Sequence, residues 1–323
     1  MGVRVLAPGA MTTVQDRGRT GWRHLGVGQA GALDAYSHAI ANLLVGNAAD
    51  AATLEITLAG PTLAFAKDAV VAVCGADVDV RVDGIELPGW RPIRLPGGTT
   101  VSIGACRKGA RAYLAIAGGI RVAHVLGSAS TDLRGGFGGM RGRALQRGDV
   151  LDAATGGIIL PQLVIPSWWI DPSPDLQWDV PAIARVLPPD RSGSSPQGLF
   201  ASAWRIAPAS NRQGLRLDGS VIAHPGAPAS ISEPVLPGTV QLPPDGRPIV
   251  LMADAQTHGG YPRIGHVIRA DWQRLAQLRP GETVRFIPCT AGEARQAWLD
   301  QTHRLARIAL AIGGRRQART SGP

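Results

Sequence analysis

Cysteine and long apolar runs are both scarce in this sequence, and each shortage excludes a class of protein. The three cysteines among 323 residues are Cys74, Cys106 and Cys289, which lie far apart in apolar segments. An odd number without clustered spacing argues against a disulfide framework and against a cysteine-based zinc site. No run of about 18 apolar residues is present, and the N-terminus lacks the apolar stretch of a signal peptide. We therefore expect buried free thiols in a cytoplasmic protein that does not span a membrane.

Aromatic residues and lysine are also few, which weakens the case for nucleic-acid binding. Aromatic residues make up 5% of the chain, and the only lysines are Lys67 and Lys108. The net charge of +9 comes from arginines that are scattered along the chain, apart from a cluster at residues 315–319. Nucleic-acid-binding proteins usually concentrate basic residues in a motif and stack bases on aromatic rings. The sequence therefore predicts no nucleic-acid partner, and its charge favours solvation and attraction of an anionic substrate.

Common catalytic, metal and nucleotide motifs are missing as well. Neither G-x-S-x-G nor H-E-x-x-H occurs, and the seven histidines have no metal-ligand spacing, so no metal site is expected. Residues 26–31 match G-x-G-x-x-G, but residues 22–25 before them do not form the buried strand that a dinucleotide site requires. We interpret this match as fortuitous. Neither lysine lies in the Met-Lys-Met context of a biotin carrier.

Glycine and proline are abundant, and short apolar runs alternate with turn signals through most of the chain. The sequence contains 42 glycines and 25 prolines, without a fixed repeat. This pattern predicts a mostly β fold whose many short strands close into a barrel or a sandwich. In the first half we expect separate strands at residues 53–58, 62–65, 70–73, 78–82, 99–103 and 111–117.

The length of the chain suggests two domains. A proline-rich region extends from residue 156 to residue 196, and we place the domain junction in its first part. This gives an N-terminal domain at 1–160, a C-terminal domain at 161–312 and a disordered basic tail at 313–323. Helices are expected at residues 34–46, with Asp34 as cap and Gly46 as stop, and at residues 199–205, 270–278 and 291–312.

One loop, residues 254–263, concentrates polar side chains around two adjacent glycines. A buried strand precedes it and an apolar segment follows it. Buried polar groups without partners cost about 1–3 kcal/mol each, so such a loop is poor core material. We interpret it as a binding or catalytic loop, and the alternative is an ordinary turn with polar residues. Two further polar segments, residues 15–19 and 210–216, are candidate companions, although Asp16 and a neighbouring arginine also suit a salt bridge that fixes a turn.

Several longer motifs, in the same order along the chain, resemble one protein family. The family is the C subunit of 5-oxoprolinase, also called KipA or allophanate hydrolase subunit 2, and it includes part of the urea carboxylase carboxyltransferase domain. The resemblance covers nearly all of residues 3–290. The motifs lie at residues 12–19, 34–47, 54–61, 110–119, 126–136, 244–251 and 256–262.

This resemblance implies two cyclophilin-like β-barrel domains with a few short helices and a C-terminal helix. It implies two partner proteins, which are the KipI-like B subunit of 5-oxoprolinase together with its A subunit. The complex of all three cleaves 5-oxo-L-proline to L-glutamate with ATP hydrolysis. The expectation is that the complex uses ATP and that this chain alone binds no cofactor.

Two alternative functions stay open at this stage. One is a carboxyltransferase component that acts on urea or a related amide, with biotin carried by another protein. The other is a non-enzymatic regulator that binds a kinase, as the name KipA suggests. We favour the role in 5-oxoprolinase, with an active site shared with the KipI-like partner, because this chain lacks a complete catalytic set.

The resemblance and the polar segments together predict the site residues. His258 departs from the family, which commonly has threonine at this position. The expected catalytic residues are Asp254, Gln256, Thr257, His258 and Tyr261. The expected substrate-binding residues are Gln15, Asp16, Arg17, Arg212, Arg216, Gln241, Gly259, Gly260 and Arg263.

Overall fold

The chain is mostly β and forms two compact units, which confirms the predicted fold class of two barrel-like sheets. The expected domain junction at residues 160 and 161 lies at the edge of a segment outside the described residues. The computed structural model describes residues 2–153, 162–178, 181–189, 197–223 and 231–320, with the backbone alone for 316–320. The first unit comprises Met1–Gly18, Asp34–Gln177 and Thr302–Pro323, and the second comprises Arg19–Leu33 and Trp178–Gln301.

The first unit is built on a sheet that has ten strands among the described residues. Its centre is the long antiparallel pair β5 and β8, each of which joins two of the short strands expected from the sequence. Register shifts between Gly75 and Val80 mark bulges, where a strand bends without ending. The strands are β1 Val3–Ala7, β2 Met11–Gln15, β3 Thr53–Thr57, β4 Thr62–Phe65, β5 Ala69–Val82, β6 Ile85–Leu87, β7 Ile93–Leu95, β8 Thr100–Ile116, β9 Ile120–Arg121 and β10 Val150–Ala153.

Helix α1, Ala35–Val45, begins and ends where the sequence predicts. The Asp34 carboxylate accepts a hydrogen bond of 2.9 Å from the Ser37 N–H, which satisfies one of the unpaired donors of the first turn. Gly46 ends the helix with a φ of 82°, a left-handed conformation that glycine adopts without strain.

Several buried polar groups of the first unit are paired around α1. The Tyr113 hydroxyl donates to the Glu55 carboxylate at 2.8 Å and accepts from the Asp34 N–H at 2.8 Å. The fully buried His38 ring has Nδ1 2.9 Å from the Thr53 hydroxyl oxygen. Because burial disfavours the charged imidazolium, the pKa of His38 falls to about 4.

The second unit contains a closed barrel in the order β11-β18-β15-β16-β13-β12-β19, completed by parallel pairing of β19 with β11. A separate pair, β14 and β17, lies outside the barrel sheet. The strands are β11 Ala182–Leu187, β12 Ala203–Ile206, β13 Gly214–Asp218, β14 Glu233–Pro234, β15 Thr239–Gln241, β16 Ile249–Leu251, β17 His258–Gly259, β18 Arg263–Val267 and β19 Thr283–Pro288.

Two expected elements of the second half differ from the structure. The helix predicted at 199–205 is a shorter α2, Gln197–Ala201, because Trp204 lies on β12 with its ring in the barrel core. The Trp204 indole N–H donates to the carbonyl of Leu199 at 2.9 Å and thereby ties strand to helix. The helix expected at 270–278 is a 3-10 turn followed by α3, Trp272–Ala276.

The C-terminal helix α4, Ala291–Thr320, is longer than expected. Thr290 and Glu293 form a capping box, in which Glu293 accepts from the Thr290 N–H at 2.7 Å and donates its own N–H to the Thr290 hydroxyl at 3.2 Å. The helix continues past Gly313 and Gly314 through most of the residues predicted as a disordered tail, and the good helix formers arginine, glutamine and alanine follow these two glycines. None of the helices in the described ranges is long and apolar enough to cross a membrane.

The buried His38 generates a prediction about pH. Its folded pKa of about 4 lies below the value of 6.5 for an unburied histidine, so between these values only the unfolded chain takes up the proton. The free energy of unfolding should therefore fall by about 1.4 kcal/mol per pH unit as pH drops through this window. Urea titrations from pH 7 to pH 4 should show a shallower loss for His38→Gln. The matched control is His303→Gln, at an exposed histidine, and equal slopes in all three proteins would contradict the prediction.

Candidate functional site

Three neighbouring strands of the barrel place Arg216, Ile249 and Gln241 side by side. Arg216 pairs with Ile249 between β13 and β16, and Gln241 pairs with Ile249 between β15 and β16. Alternate residues of a strand face opposite sides of the sheet. The adjacent positions hold the buried core residues Leu215, Val240 and Val250. The row Arg216–Ile249–Gln241 therefore lies on the outer face of the barrel, and we call it the binding row.

A cavity of about 150 Å³ opens over the binding row. Its walls combine four carboxamides, one phenol, one guanidinium and two aliphatic side chains. The lining residues are Asn211, Gln213, Gly214, Arg216, Gln241, Ile249, Leu251, Gln256 and Tyr261. Among these described residues none is a carboxylate or a histidine, so the cavity presents hydrogen-bonding groups and positive charge. Such a lining suits a small polar or anionic molecule.

Gln241, one of the lining residues, carries a buried donor that has no partner in the described part of the chain. Its side chain is buried, with 1% exposure, and its Oε1 accepts a long hydrogen bond of 3.4 Å from Nε2 of Gln256. Its Nε2 has no hydrogen-bond partner among the described residues. A buried donor without an acceptor costs about 1–3 kcal/mol, and a ligand oxygen would remove that cost.

Gly259 allows the polar loop to lie directly against this amide. A Cβ at this position would stand 2.4 Å from Nε2 of Gln241, closer than real Cβ contacts occur. Only glycine therefore fits at this position without displacing the Gln241 amide. The loop backbone forms part of the surroundings of the Gln241 donor.

A buried ion pair holds the beginning of the polar loop. Arg212 Nε and Nη2 donate to the two Asp254 carboxylate oxygens at 2.8 Å and 2.9 Å, with both side chains almost fully buried. Arg212 Nη2 also donates to the carbonyl of Gly31 at 2.7 Å. This geometry favours a structural role for the pair, and the expected assignments of Asp254 to catalysis and Arg212 to substrate binding stay predictions.

Arg23 also supports the loop, and the sequence contained no motif that marks it. Its Nη2 donates to the carbonyl oxygens of Val235 at 2.6 Å and Gln256 at 2.9 Å. Burial lowers the pKa of this guanidinium. Arg23 begins the 3-10 turn Arg23–Leu25 that precedes the G-x-G-x-x-G match. This described segment thus places a 3-10 turn directly before the match, where a dinucleotide fingerprint requires a strand.

The other loop residues divide between the cavity wall and the surface. Gln256 and the half-exposed Tyr261 line the cavity. Thr257 is buried, with its hydroxyl oxygen 2.9 Å from Nδ1 of the exposed His258, and neither residue is among the lining residues. Arg263 is exposed and forms an ion pair with Glu233. Gly260, the remaining expected loop residue, is also absent from the lining residues. The structure thus brings Gln241, Arg216, Gln256 and Tyr261 together.

The three expected substrate-binding residues near the N-terminus belong to the first unit. Asp16 Oδ1 accepts from the hydroxyls of Ser128 and Ser130 at 2.6 Å and 2.5 Å, and Oδ2 accepts from the Ala129 N–H at 2.6 Å. Burial raises the pKa of Asp16, but these bonds and one from the Gly18 N–H together lower it below its ordinary value. The carboxylate therefore anchors the long glycine-rich loop at 126–139.

The two neighbours of Asp16 differ from it in exposure. Gln15 is buried and donates from Nε2 to the carbonyl of Thr131 at 3.2 Å, so it too binds the glycine-rich loop. Arg17 is exposed. The assignment of Gln15, Asp16 and Arg17 to substrate binding stays a prediction. In the part of the chain that the structure describes, no group of three or more His, Cys, Asp or Glu side chains is placed to hold a metal ion.

The barrel, its outer cavity and the supporting loop define a β-barrel protein with a polar cavity on the outer face of the barrel. Comparison with known proteins gives the family. The model described as "Carboxyltransferase domain, subdomain A and B" matches residues 25–288, and the chain belongs to this family.

Relatives of this chain include complete bacterial subunits as well as parts of larger enzymes. It is 39% identical over 312 residues to the C subunit of 5-oxoprolinase from Escherichia coli K12, covering 95% of this chain and 97% of that protein. It is 33% identical to the C subunit of 5-oxoprolinase from Haemophilus influenzae, covering 94% and 98%. The solved urea amidolyase of K. lactis superposes with a TM-score of 0.85 at 32% identity, covering 95% of this chain and 20% of that one. The names of the two bacterial relatives describe each as one part of a multi-subunit enzyme.

Removal of the Asp254 carboxylate tests whether the ion pair is structural. Asp254→Ala should lower the free energy of unfolding by about 3–5 kcal/mol, because it leaves the Arg212 guanidinium buried and unpaired. Urea denaturation measures this loss. The matched control is Asp218→Ala, which removes a partner of the exposed Arg247 and should cost less than about 1 kcal/mol. A stable Asp254→Ala protein that loses only turnover would instead support the catalytic assignment.

A methyl group at residue 259 should disturb the site without unfolding the barrel. In Gly259→Ala the new Cβ displaces the end of the Gln241 side chain. We expect kcat/KM of the assembled multi-subunit enzyme to fall about tenfold while the melting temperature of this chain changes little. The control is Gly314→Ala, where no atom lies within 4 Å of the added Cβ. A wild-type kcat/KM in Gly259→Ala would show that activity does not depend on the position of the Gln241 amide.

Proposed function

We propose that this chain is the C subunit of an ATP-dependent 5-oxoprolinase complex that converts 5-oxo-L-proline to L-glutamate. The observation that carries the proposal is the match to the C subunit of the Escherichia coli enzyme at 39% identity, which covers 97% of that protein. A relation along whole chains argues for the same role more strongly than a relation to one segment of a large enzyme. Fold alone would not support the assignment, because one fold serves several functions.

The cavity of the second unit supports this role by its chemistry. 5-Oxo-L-proline is a small ring with one amide group and one carboxylate. The cavity offers an amide donor from Gln241, a guanidinium from Arg216 and the aliphatic side chains of Ile249 and Leu251. Together these groups suit a small molecule that has polar groups and an apolar ring.

The reaction requires activation of a poor electrophile. Phosphoryl transfer from ATP to the lactam oxygen releases ADP and makes the carbonyl carbon reactive. One water then attacks this carbon as the ring C–N bond breaks, and a second water hydrolyses the resulting acyl phosphate to the carboxylate and phosphate. Overall, one ATP and two waters yield glutamate, ADP and phosphate. A hydrogen-bond donor in the cavity would hold the lactam oxygen and stabilise charge that develops on it. In this proposal no group that lines the cavity takes a proton from water, because its described lining contains no carboxylate or imidazole.

Because the described cavity lining has no carboxylate or imidazole, the proposed reaction needs groups from partner proteins. We assign the handling of ATP and the proton transfers to the other two proteins of the complex, the A subunit of 5-oxoprolinase with its KipI-like B subunit. The active site is shared between this chain and the KipI-like partner. In this scheme no cofactor is resident in this chain. Gln256 and Tyr261, which line the cavity, contribute from this side of the site.

A second candidate function is carboxyl transfer in a biotin-dependent carboxylase that acts on urea or a related amide. It is favoured by the match to the carboxyltransferase family model over residues 25–288 and by the likeness to urea amidolyase. In this case biotin would be carried by another protein.

Reconstitution distinguishes the two candidates. This chain is combined with the A subunit and the KipI-like B subunit of 5-oxoprolinase from the same organism, and glutamate release from 5-oxo-L-proline is measured with and without ATP. We expect release that requires ATP and all three proteins. Absence of release, together with carboxylation of urea by a biotin carrier protein, would overturn the proposal in favour of the second candidate.

Substitutions in the cavity wall test the part that this chain plays. Tyr261→Phe and Gln256→Ala should each lower turnover of the complex about tenfold, because each removes a polar group from the cavity, while melting temperature and complex assembly stay unchanged. The control is Gln296→Ala on α4, where the side chain bonds only Asp300 on the same helix. Wild-type turnover in both cavity variants would indicate that the loop is structural.

A further inference from the structure

We propose that the binding row fixes a small carboxylated lactam in one orientation. The lactam oxygen accepts a hydrogen bond from Nε2 of Gln241, the ring rests on Ile249, and the carboxylate pairs with Arg216. This inference rests on the proposed function for the identity of the ligand and goes beyond it by assigning each ligand group to a residue. Gln241 and Arg216 are thereby the residues that determine specificity.

The buried amide of Gln241 determines where the carbonyl group of the ligand binds. Its Oε1 is engaged by Gln256, so Nε2 is the atom that remains for a ligand, and it requires an acceptor. A ligand without an oxygen at this point would leave the donor buried and unpaired. Sites of this kind reject analogues that lack the matching group far more strongly than an apolar pocket does.

The guanidinium of Arg216 determines where the carboxylate at the opposite end of the ligand binds. Arg216 is exposed, and among the described residues its side chain has no hydrogen bond and no ion pair. It is also the one charged residue in the described lining of the cavity. A planar guanidinium binds a carboxylate through two parallel hydrogen bonds, which fixes orientation as well as affinity.

The register of the strands spaces these two groups for a small ring. Arg216 and Gln241 lie on either side of Ile249, so two strand spacings, about 10 Å, separate their backbones. Both side chains line the cavity, and Ile249 lies between them, so a gap above Ile249 separates their polar ends. A five-membered ring with a carbonyl on one side and a carboxylate on the other spans such a gap. Urea offers no carboxylate and no ring, so it would engage Gln241 alone.

Three related compounds separate the contributions of the two residues. 5-Oxo-L-proline carries both groups, 2-pyrrolidone lacks the carboxylate, and L-proline lacks the carbonyl. Their binding to the full chain and to the assembled complex is measured by saturation-transfer NMR without ATP, and KM is measured in the complex. We expect 5-oxo-L-proline to bind at least about tenfold more tightly than either analogue.

Two variants assign these differences to residues. Arg216→Gln should weaken 5-oxo-L-proline to the level of 2-pyrrolidone and leave 2-pyrrolidone unchanged. Gln241→Leu should weaken both lactams by about the same factor and leave L-proline unchanged, because L-proline has no oxygen for the amide. The control is Arg247→Gln, at an exposed arginine in the turn before β16, which should bind all three compounds as the wild type does. Gln241→Met replaces Gln241→Leu if the latter does not fold.

The outcomes separate this inference from the proposed function. If the wild-type complex releases glutamate and both variants keep the wild-type preference among the three compounds, the assignment of ligand groups is wrong and the function stands. If the complex releases no glutamate, the function is wrong. The NMR series then decides the assignment separately, because an equal response of the variants to all three compounds would overturn it.

Discussion

The second unit depends on one buried ion pair, because Arg212 and Asp254 join three parts of its chain. The Arg212 guanidinium binds Asp254, the first residue of the polar loop, and the carbonyl of Gly31. Arg212 itself lies in the turn before β13. Burying two charges is costly unless they pair with good geometry, so the pair tolerates little movement. That rigidity keeps Gln256 and Tyr261 in place as the wall of the cavity.

The cavity combines a rigid sheet with a supported loop, and the two make different contributions. The sheet spaces Arg216, Ile249 and Gln241 at fixed intervals, since strand register leaves no freedom to slide. The loop covers Gln241 and excludes water from its amide, which makes an unpaired donor costly and a ligand oxygen favourable. In the function we propose, specificity comes from a buried donor that the correct ligand satisfies, and the partner proteins carry out proton transfer and the ATP chemistry.

Local signals in the sequence predicted much of this fold, and contacts between distant residues account for the rest. The cap Asp34 and the stop Gly46 could be placed because each acts on its own helix terminus. The length of β5 and β8 could not, because bulges look like turns until the partner strand is known. The candidate site also divides into features with a local sequence signal and features that depend on distant residues. Gln256 and Tyr261 were found from the polar loop, but the structural pairing of Asp254 and the support from Arg23 depend on residues far away in sequence.

In the arrangement that we propose, the binding row holds a carboxylated lactam by its two polar ends. The most direct measurement is a crystal structure of the assembled complex with 5-oxo-L-proline and a non-hydrolysable ATP analogue. We expect the lactam oxygen about 3 Å from Nε2 of Gln241, with the ligand carboxylate on the guanidinium of Arg216. A ligand bound elsewhere in the complex, with the cavity over Ile249 empty, would contradict it.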